Sequence, residues 1–435
     1  MDGLHLTADL YRCQSDSELL LNEHALAALC TTHTRLSGLT LVDDSWVKFP
    51  DYQGQPGGVT GMVLLAESHL AIHTWPETGN VTLDVYVCNF SEDNSGKAHQ
   101  LLESVIAAFA PERCKRQQLL RGDVSTVGPQ AALWVQEQLT PASAFSFRAK
   151  VLERMQTPFQ KLELLHSPVF GRMLRLDDRF MTSEKDEFFY HEALVHPAAM
   201  AHPHPQRALI IGGGDGGAAE ELLKHRTIQQ VVLAELDAQV VATARAHLQH
   251  IHRGAFDDPR LEVRIGDGLQ LLADTDERFD LVLMDLTDPD TPAETLYTLP
   301  ALQRMKRVLA PGGAVVQHLG SPVFHPEQVA LLAERLRSVF RHVQCYGLYI
   351  PLYGAYWGLA VASDSLQPAA LSAAEVAERM AARGVGDLQF YNAPLHPALF
   401  ALPTYYGQLV VPQSGPVAAQ FAVDQSDLAK LAVQP

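Results

Sequence analysis

Residues 208–217 read Ala-Leu-Ile-Ile-Gly-Gly-Gly-Asp-Gly-Gly, and this stretch does most to define the fold. The apolar run is typical of a buried strand, and the segment 218–225 after the glycines is typical of a helix. Glycine allows a tight turn and lets a ligand come close to the backbone. A strand, a glycine-rich turn and a helix in this order predict the first unit of a doubly wound α/β sheet.

The segments that follow extend the same pattern. From residue 187 onward, strand-like segments alternate with helical ones, which predicts a mainly parallel sheet; the strand candidates are 208–211, 231–236, 261–265, 281–285, 314–318 and 343–349. Carboxylates stand at three of the strand ends: Glu235, Asp267 and the pair Asp285 and Asp288. Glu235 is placed to accept ribose hydroxyls. The glycine motif alone fits nicotinamide enzymes, methyltransferases and aminopropyltransferases, and aspartates after a strand are often only turn residues.

The first half of the chain has a different pattern. Segments 59–65 and 81–88 are typical of buried strands, and 24–30 and 97–109 have helical spacing, which predicts a sheet with helices on one face. Residues 124–144, with Gly128, Pro129 and Pro141, predict a connector that could contain a short helix. Repeated short strands follow, at 148–155, 160–165 and 171–176.

Composition restricts the functional classes. A chain of 435 residues predicts two or three domains, and 47% hydrophobic with 19% charged residues is typical of globular proteins. The formal charge of −17 argues against nucleic-acid binding and suits a cationic substrate. No apolar run suggests a membrane span or a secretory signal, and five scattered cysteines form no disulfide framework, so we expect a cytoplasmic protein.

The carboxy-terminal part, from about residue 146 to 411, resembles spermidine synthase. The resemblance is carried by Thr157-Pro158-Phe159-Gln160, by 186–192 (Asp-Glu-Phe-Phe-Tyr-His-Glu), by the glycine turn and by Met284-Asp285-Leu286-Thr287-Asp288-Pro289. It implies that decarboxylated S-adenosylmethionine donates an aminopropyl group to putrescine, with Asp285 as the catalytic aspartate. It also implies donor-binding residues, namely Gln160, Gly212, Gly214, Asp215, Glu235, Asp267, Gly268 and Pro292. The implied amine-binding residues are Tyr190, His191, Asp215, Asp285, Asp288 and Tyr353. Met181 stands where the family usually has glutamine, which leaves the preferred amine open.

The amino-terminal part, residues 3–120, resembles the prokaryotic-type, pyruvoyl-dependent S-adenosylmethionine decarboxylases. The resemblance is carried by residues 66–77 (Ala-Glu-Ser-His-Leu-Ala-Ile-His-Thr-Trp-Pro-Glu), by Cys88 at the family's spacing and by the opening segment 5–11. It implies that the chain cleaves itself between Glu67 and Ser68, and that Ser68 becomes a pyruvoyl group that forms a Schiff base with the substrate amine. His73 would assist the cleavage and Cys88 would return a proton to the α carbon.

Two departures from the decarboxylase pattern affect the expectations. Thr60 replaces a serine eight residues before Ser68, but it keeps the hydroxyl. The segment 49–58 is longer and richer in glycine than the family's loop, so Phe49 or Tyr52 would have to stack on the adenine. The altered loop leaves ornithine or arginine as alternative substrates of this half.

Together the two resemblances predict one polypeptide with two consecutive steps of polyamine synthesis. The predicted domains are an α/β sandwich decarboxylase domain at 1–122, a linker at 123–145, a small β domain at 146–182 and a Rossmann-like domain at 183–415. We expect small-molecule substrates, no metal, no membrane or nucleic-acid partner, and a homo-oligomer because both families form oligomers. The alternatives are an unprocessed regulatory module in the first half and a methyltransferase in the second.

Overall fold

The computed structural model describes residues 2–51, 54–66, 68–89, 93–122, 133–289 and 291–411. The chain divides into two compact units, residues 1–130 and 131–435. Within the described residues, no helix combines the length and the apolar character that a membrane crossing requires.

The first unit is built on an antiparallel sheet of six strands in the order β2-β3-β4-β5-β1-β6. The strands are β1 (Asp2–Cys13), β2 (Leu41–Lys48), β3 (Val59–Leu65), β4 (Ser68–Trp75), β5 (Asn80–Cys88) and β6 (Pro111–Gly122). The helices are α1 (Glu18–Leu21), α2 (Glu23–Leu36) and α3 (Ser95–Phe109).

Helices α2 and α3 form one hydrophobic core with alternate residues of the sheet. In β5 each second side chain is buried, as a strand with one covered face requires, and α3 buries the stripe that includes Leu101, Val105 and Phe109. The sequence therefore predicted this layered α/β arrangement correctly.

The second unit begins with an antiparallel five-stranded sheet in the order β11-β10-β9-β8-β7. Its strands are β7 (Leu133–Thr140), β8 (Ser143–Gln156), β9 (Lys161–Ser167), β10 (Gly171–Leu176) and β11 (Arg179–Ser183). The short helix predicted within 124–144 is wrong at 133–140, which is a strand. Pro141 is not a connector residue but part of the tight turn between β7 and β8, where Thr140 pairs with Ser143.

The rest of the second unit contains a seven-stranded sheet in the order β14-β13-β12-β15-β16-β18-β17. Its strands are β12 (Arg207–Gly212), β13 (Gln230–Glu235), β14 (Leu261–Ile265), β15 (Phe279–Asp285), β16 (Leu309–Gly320), β17 (His342–Ile350) and β18 (Ala355–Ser363). The first five pair in parallel, and β18 is antiparallel to both of its neighbours. The doubly wound prediction is confirmed.

Helices cover both faces of this sheet and form a separate core on each. They are α4 (Glu187–Ala201), α5 (Gly217–Leu223), α6 (Ala238–His247), α7 (Gln249–His252), α8 (Gly268–Asp274), α9 (Leu299–Arg307), α10 (Pro326–Val339), α11 (Ala373–Arg383), α12 (Leu395–Leu399) and α13 (Thr404–Val410). Since parallel strands point the same way, the carboxyl ends of β12, β13, β14 and β15 meet at one edge. Glu235, Asp267 and Asp285 of the sequence prediction therefore lie along one crevice.

Candidate active sites

The glycine turn after β12 lets three acidic or basic side chains approach the backbone. A Cβ on Gly213 would lie 2.8 Å from Asp285 Oδ2, and one on Gly214 would lie 2.8 Å from Glu235 Oε2. A Cβ on Gly217 would collide with the ring of His191. A hydrogen bond joins the turn to β15, the neighbouring strand in the sheet: the Gly213 amide donates to the carbonyl of Asp285 at 2.8 Å. Glycine is thus required here by space as well as by the positive φ of Gly213, +68°.

An acid–imidazole cluster lies beside this turn. His191 stands between two carboxylates, with Nδ1 2.7 Å from Glu187 Oε2 and Nε2 3.4 Å from Asp215 Oδ2. Ligand atoms of His191, Asp215 and Asp285 all lie within 4.8 Å of one another. Asp215 also accepts the Gly217 amide at 3.0 Å. Such a cluster can hold a cation, whether an ammonium group or a metal ion.

Burial and mutual charge set the protonation of the cluster. Burial raises the pKa of Asp285 to about 7, with the charge of His191 opposing this and that of Asp215 adding to it. Burial acts against the charged form of His191, but Asp215 and Glu187 prevail and raise its pKa well above the usual range. Burial likewise opposes ionisation of Asp215, yet His191 holds its pKa below normal. The cluster therefore combines an ion pair with one carboxyl, Asp285, that can exchange a proton near neutral pH.

A second group of contacts lies at the end of β13. Glu235 accepts the Gly214 amide at 3.2 Å and the Asp237 amide at 2.9 Å, and burial raises its pKa to about 7. Asp237 Oδ2 accepts from Gln160 Nε2 at 3.1 Å and from Thr157 Oγ1 at 2.7 Å. The sequence analysis missed Asp237, although its position as the N-cap of α6 gave a signal. Asp237 fixes the predicted donor-binding residue Gln160.

His191, Asp215, Asp285, Glu235 and Gln160 line one cavity of about 260 Å³. Its wall includes most of the predicted transferase residues: Gln160, Tyr190, His191, Gly212, Gly214, Asp215, Glu235, Asp267, Gly268, Asp285 and Tyr353. Asp267 is the N-cap of α8, where its side chain accepts the Leu269 amide at 2.8 Å. Pro292 begins a short 3-10 helix, Pro292–Tyr297, and its side chain lies outside the described part of the chain.

Asp288 borders a second, smaller cavity of about 30 Å³. Met181, Tyr190 and Tyr353 line both cavities, so the two share a wall. Asp288 Oδ2 lies 2.6 Å from Arg179 Nη1. Glu137 from β7 also lines this cavity; burial raises its pKa to about 7, and it accepts the Phe180 amide at 2.7 Å. Sequence reasoning missed Glu137 because it fell in the segment interpreted as a connector.

The predicted decarboxylase residues lie in the six-stranded sheet but are only partly brought together. Ser68 begins β4 opposite Val87, so Cys88 follows at the adjacent position of β5. Cys88 Sγ lies 3.3 Å from the hydroxyl of Tyr86. His73 is five residues further along β4, and Thr60 Oγ1 lies 2.9 Å from its Nδ1. Five residues of strand span roughly 16 Å, so His73 of the same chain does not lie beside Ser68.

Side-chain direction separates these residues further. Because side chains alternate along a strand, Ser68 shares a face of the sheet with the buried Leu70 and Ile72, whereas His73 shares the opposite face with Cys88. Glu67 and Tyr52 lie outside the described residues. The other adenine-stacking candidate, Phe49, directly follows β2 and is half-exposed.

Comparison with known proteins gives three family matches. Residues 4–122 match the S-adenosylmethionine decarboxylase model, 133–184 the spermidine synthase tetramerisation domain and 187–370 the spermine/spermidine synthase domain.

Individual relatives agree with the last two matches. The chain is 43% identical over 293 residues to a polyamine aminopropyltransferase of Nitrosomonas europaea, covering 67% of this chain and 90% of that protein. It is 36% identical to one of Sulfurisphaera tokodaii, covering 60% of this chain and 87% of that protein. A crystal structure of spermidine synthase in complex with the transition state analogue AdoDATO superimposes with a TM-score of 0.61 at 30% identity, covering 65% of this chain and 97% of that one. The chain belongs to the polyamine aminopropyltransferase family and carries a domain of the S-adenosylmethionine decarboxylase family at its amino-terminal end.

Proposed function

We propose that this chain catalyses two consecutive reactions of polyamine synthesis. The first unit decarboxylates S-adenosylmethionine, and the second transfers the aminopropyl group of the product to putrescine, giving spermidine and methylthioadenosine. The observation that carries the proposal is the acid-lined cavity of the second unit, in a chain whose first unit matches a decarboxylase model. That match also favours S-adenosylmethionine over ornithine or arginine.

The carboxylates fit the charges of the transfer reaction. The donor has a positive sulfonium and a positive amine, and the acceptor is protonated at neutral pH because its amine pKa lies near that of lysine, about 10.4. Asp215 and Asp285 attract these cations, and Asp285 takes a proton from the attacking nitrogen. That nitrogen forms a bond to the carbon next to the sulfonium as the carbon–sulfur bond breaks, and the electron pair stays on the sulfur of methylthioadenosine. Alignment in the cavity supplies much of the rate enhancement.

The nucleoside of the donor lies along the strand ends in this proposal. Glu235 accepts hydrogen bonds from the ribose hydroxyls, and Gln160, held by Asp237, contacts the adenosyl group. Asp267 and Gly268 border the adenine, together with Pro292. Tyr190, His191, Asp288 and Tyr353 position the amines.

The first unit needs a keto group derived from Ser68. A pyruvoyl group at this position would draw electrons from the breaking carboxylate bond. Cys88 follows the residue that pairs with Ser68 but its side chain lies on the opposite face of the sheet, so in this proposal the pyruvoyl terminus released by cleavage turns to that face before Cys88 returns a proton to the α carbon. His73 is not near Ser68 within one chain, so we infer that the His73 that assists cleavage belongs to a second copy. This inference agrees with the homo-oligomer expected from the sequence and with the matched tetramerisation domain.

Replacing Ser68 by alanine tests both reactions at once. We expect S68A to remain a single chain of 47.8 kDa, whereas the unaltered protein gives two fragments on intact-mass analysis. S68A should release no carbon dioxide from S-adenosylmethionine but should still make spermidine from supplied decarboxylated S-adenosylmethionine. Equal release of carbon dioxide by both proteins would refute the decarboxylase half, and no spermidine from either would refute the transferase half.

A mixture of two inactive variants tests the source of the histidine. We expect S68A and H73A to remain uncleaved when each is produced alone. When they are produced together, His73 of the S68A chain can act on Ser68 of the H73A chain, so fragments of the H73A chain should appear. Absence of cleavage in co-purified mixed oligomers would place the assisting histidine in the same chain.

The division into a decarboxylase domain, a small β domain and a Rossmann-like domain is part of this proposal, with β7 (Leu133–Thr140) assigned to the small β domain and not to the predicted linker, and so is the cytoplasmic location. Limited proteolysis with mass analysis of the fragments would locate the segment between the decarboxylase and transferase domains, and fractionation of cells that express the chain would test its location.

A further inference from the structure

The smaller cavity is lined by a buried imidazole to which the proposed function assigns no role. His318, on β16, is 2% exposed and lines the cavity together with Asp288, Glu137 and Trp357. Its ring stacks on the indole of Trp357, with 6.0 Å between the centroids. A histidine so placed either supports the cavity wall or contacts what enters the cavity.

The hydrogen bonds of His318 show which of its ring nitrogens carries the hydrogen. Nε2 lies 3.0 Å from the carbonyl oxygen of Leu286 and 2.6 Å from the hydroxyl of Tyr297. A carbonyl oxygen can only accept, so Nε2 carries the hydrogen. The Tyr297 hydroxyl donates its hydrogen to the carbonyl of Thr287 at 2.8 Å, so towards Nε2 its oxygen acts as an acceptor.

The other nitrogen, Nδ1, has no hydrogen-bond partner within the described part of the chain. Since Nε2 carries the hydrogen, Nδ1 of the neutral ring is an acceptor. Burial lowers the pKa of His318, which keeps the ring neutral. A buried acceptor without a donor is costly, and a ligand that supplies the donor recovers that free energy.

The surroundings indicate what kind of donor fits. The carboxylates of Asp288 and Glu137 give this end of the cavity an acidic character, and Arg179 lies beside Asp288. Ahead of them the shared wall of Met181 and the tyrosine rings is largely apolar. Apolar and aromatic side chains line both cavities, whereas the carboxylates and the neutral nitrogen acceptor line only the smaller one, and this arrangement matches an alkyl chain with an ammonium group at its far end.

We propose that His318 Nδ1 accepts a hydrogen bond from the far ammonium group of the amine acceptor and thereby selects short diamines over monoamines. The proposal rests on the proposed aminopropyl transfer and adds a specificity-determining residue to it.

Two substitutions separate the role of Nδ1 from that of Nε2. His318→Phe keeps a flat ring against Trp357 but has no acceptor, whereas His318→Asn keeps an acceptor near the position of Nδ1; both lose the Nε2 hydrogen bond. The assay measures methylthioadenosine release with putrescine and with n-butylamine, which has the same carbon chain without the far amine. For His318→Phe we expect the ratio of kcat/KM for putrescine to that for n-butylamine to fall roughly tenfold to a hundredfold. His318→Asn should keep most of the ratio.

The outcomes distinguish this inference from the proposed function. If unaltered protein releases no methylthioadenosine with either amine, the proposed function fails. If unaltered protein is active and His318→Phe keeps the diamine preference, the role of His318 is refuted. Equal losses of preference in both variants would assign the effect to Nε2 and would likewise overturn the inference.

Discussion

The protonation of Asp285 should control the rate of aminopropyl transfer below neutral pH, and two substitutions should move this control in opposite directions. Asp285 has a pKa of about 7 in the structure, chiefly because it is buried, with His191 and Asp215 as the nearby charges. His191→Gln removes a positive neighbour and should raise the pKa of Asp285. Asp215→Asn removes a negative neighbour and should lower it.

The expected size of the shift in the pKa of Asp285 follows from the distances between the three residues. Ligand atoms of the three residues lie within 4.8 Å of one another. At that separation and an effective dielectric constant of about 20, one unit charge contributes on the order of 3 kcal/mol. One pH unit corresponds to about 1.4 kcal/mol, so each substitution should move the midpoint of the acid limb by about one to two pH units after partial compensation.

The assay is the pH dependence of kcat/KM for putrescine, followed by methylthioadenosine release with decarboxylated S-adenosylmethionine supplied. Putrescine itself titrates, but equally for all three proteins, so the differences between their profiles isolate the enzyme group. The direction of each change follows from the charges. If Asp285 is the base, kcat/KM falls as the pH drops through the pKa of Asp285. This fall should begin at a higher pH in H191Q and at a lower pH in D215N. Coincident midpoints, or shifts in the same direction, would refute the assignment of Asp285. Thermal unfolding of each variant checks that the site remains folded.

Two further substitutions test how the donor site is held. Gly213→Ala places a Cβ against the carboxylate of Asp285 in a residue whose φ is +68°. We therefore expect the variant to lose about 1–3 kcal/mol of stability and to have a higher KM for the donor. An unchanged melting temperature and an unchanged KM would contradict the need for glycine at this position. Asp237→Ala removes both the carboxylate that fixes Gln160 and the N-cap of α6, so the KM for the donor should rise severalfold. Asp237→Asn keeps a capping oxygen and should therefore lose less stability than Asp237→Ala in a denaturant titration.

The strand ends of the second unit could be predicted because their geometry is periodic. A parallel sheet brings the carboxyl ends of its strands to one edge, so Glu235 and Asp285 needed only a correct strand pattern to be placed in the same crevice. The same reasoning did not find strand β18, although Leu359 to Ala362 is a short apolar run typical of a buried strand.

Glu137 and His318 could not be found in this way. Glu137 belongs to an antiparallel sheet whose position over the crevice depends on tertiary packing, and no spacing in the sequence relates it to Asp288. His318 lies in the long, buried strand β16, where a single histidine has the same pattern as a core residue. Only its unpaired Nδ1 beside a cavity distinguishes it, and that is a property of the folded chain.

The reverse holds in the first unit, where the sequence motif groups residues that the strand keeps apart. Ser68 and His73 are close in sequence, but an extended chain advances about 3.3 Å per residue and alternates its faces. A motif within one strand therefore indicates residues of one reaction without indicating that they meet in one copy.

The acid-lined cavity also explains how substrates could be held and products released. Raising the pKa of Asp285 from 3.8 to about 7 means that ionising this carboxyl in the folded protein costs on the order of 4 kcal/mol more than in water. A cation that enters the cavity lowers this cost, because it replaces the lost hydration of the carboxylate. The donor loses its sulfonium charge during transfer, so methylthioadenosine leaves as a neutral thioether that gains nothing from the carboxylates. The electrostatic attraction that favours binding of the donor is therefore absent for methylthioadenosine. Release of this product needs no conformational change of its own.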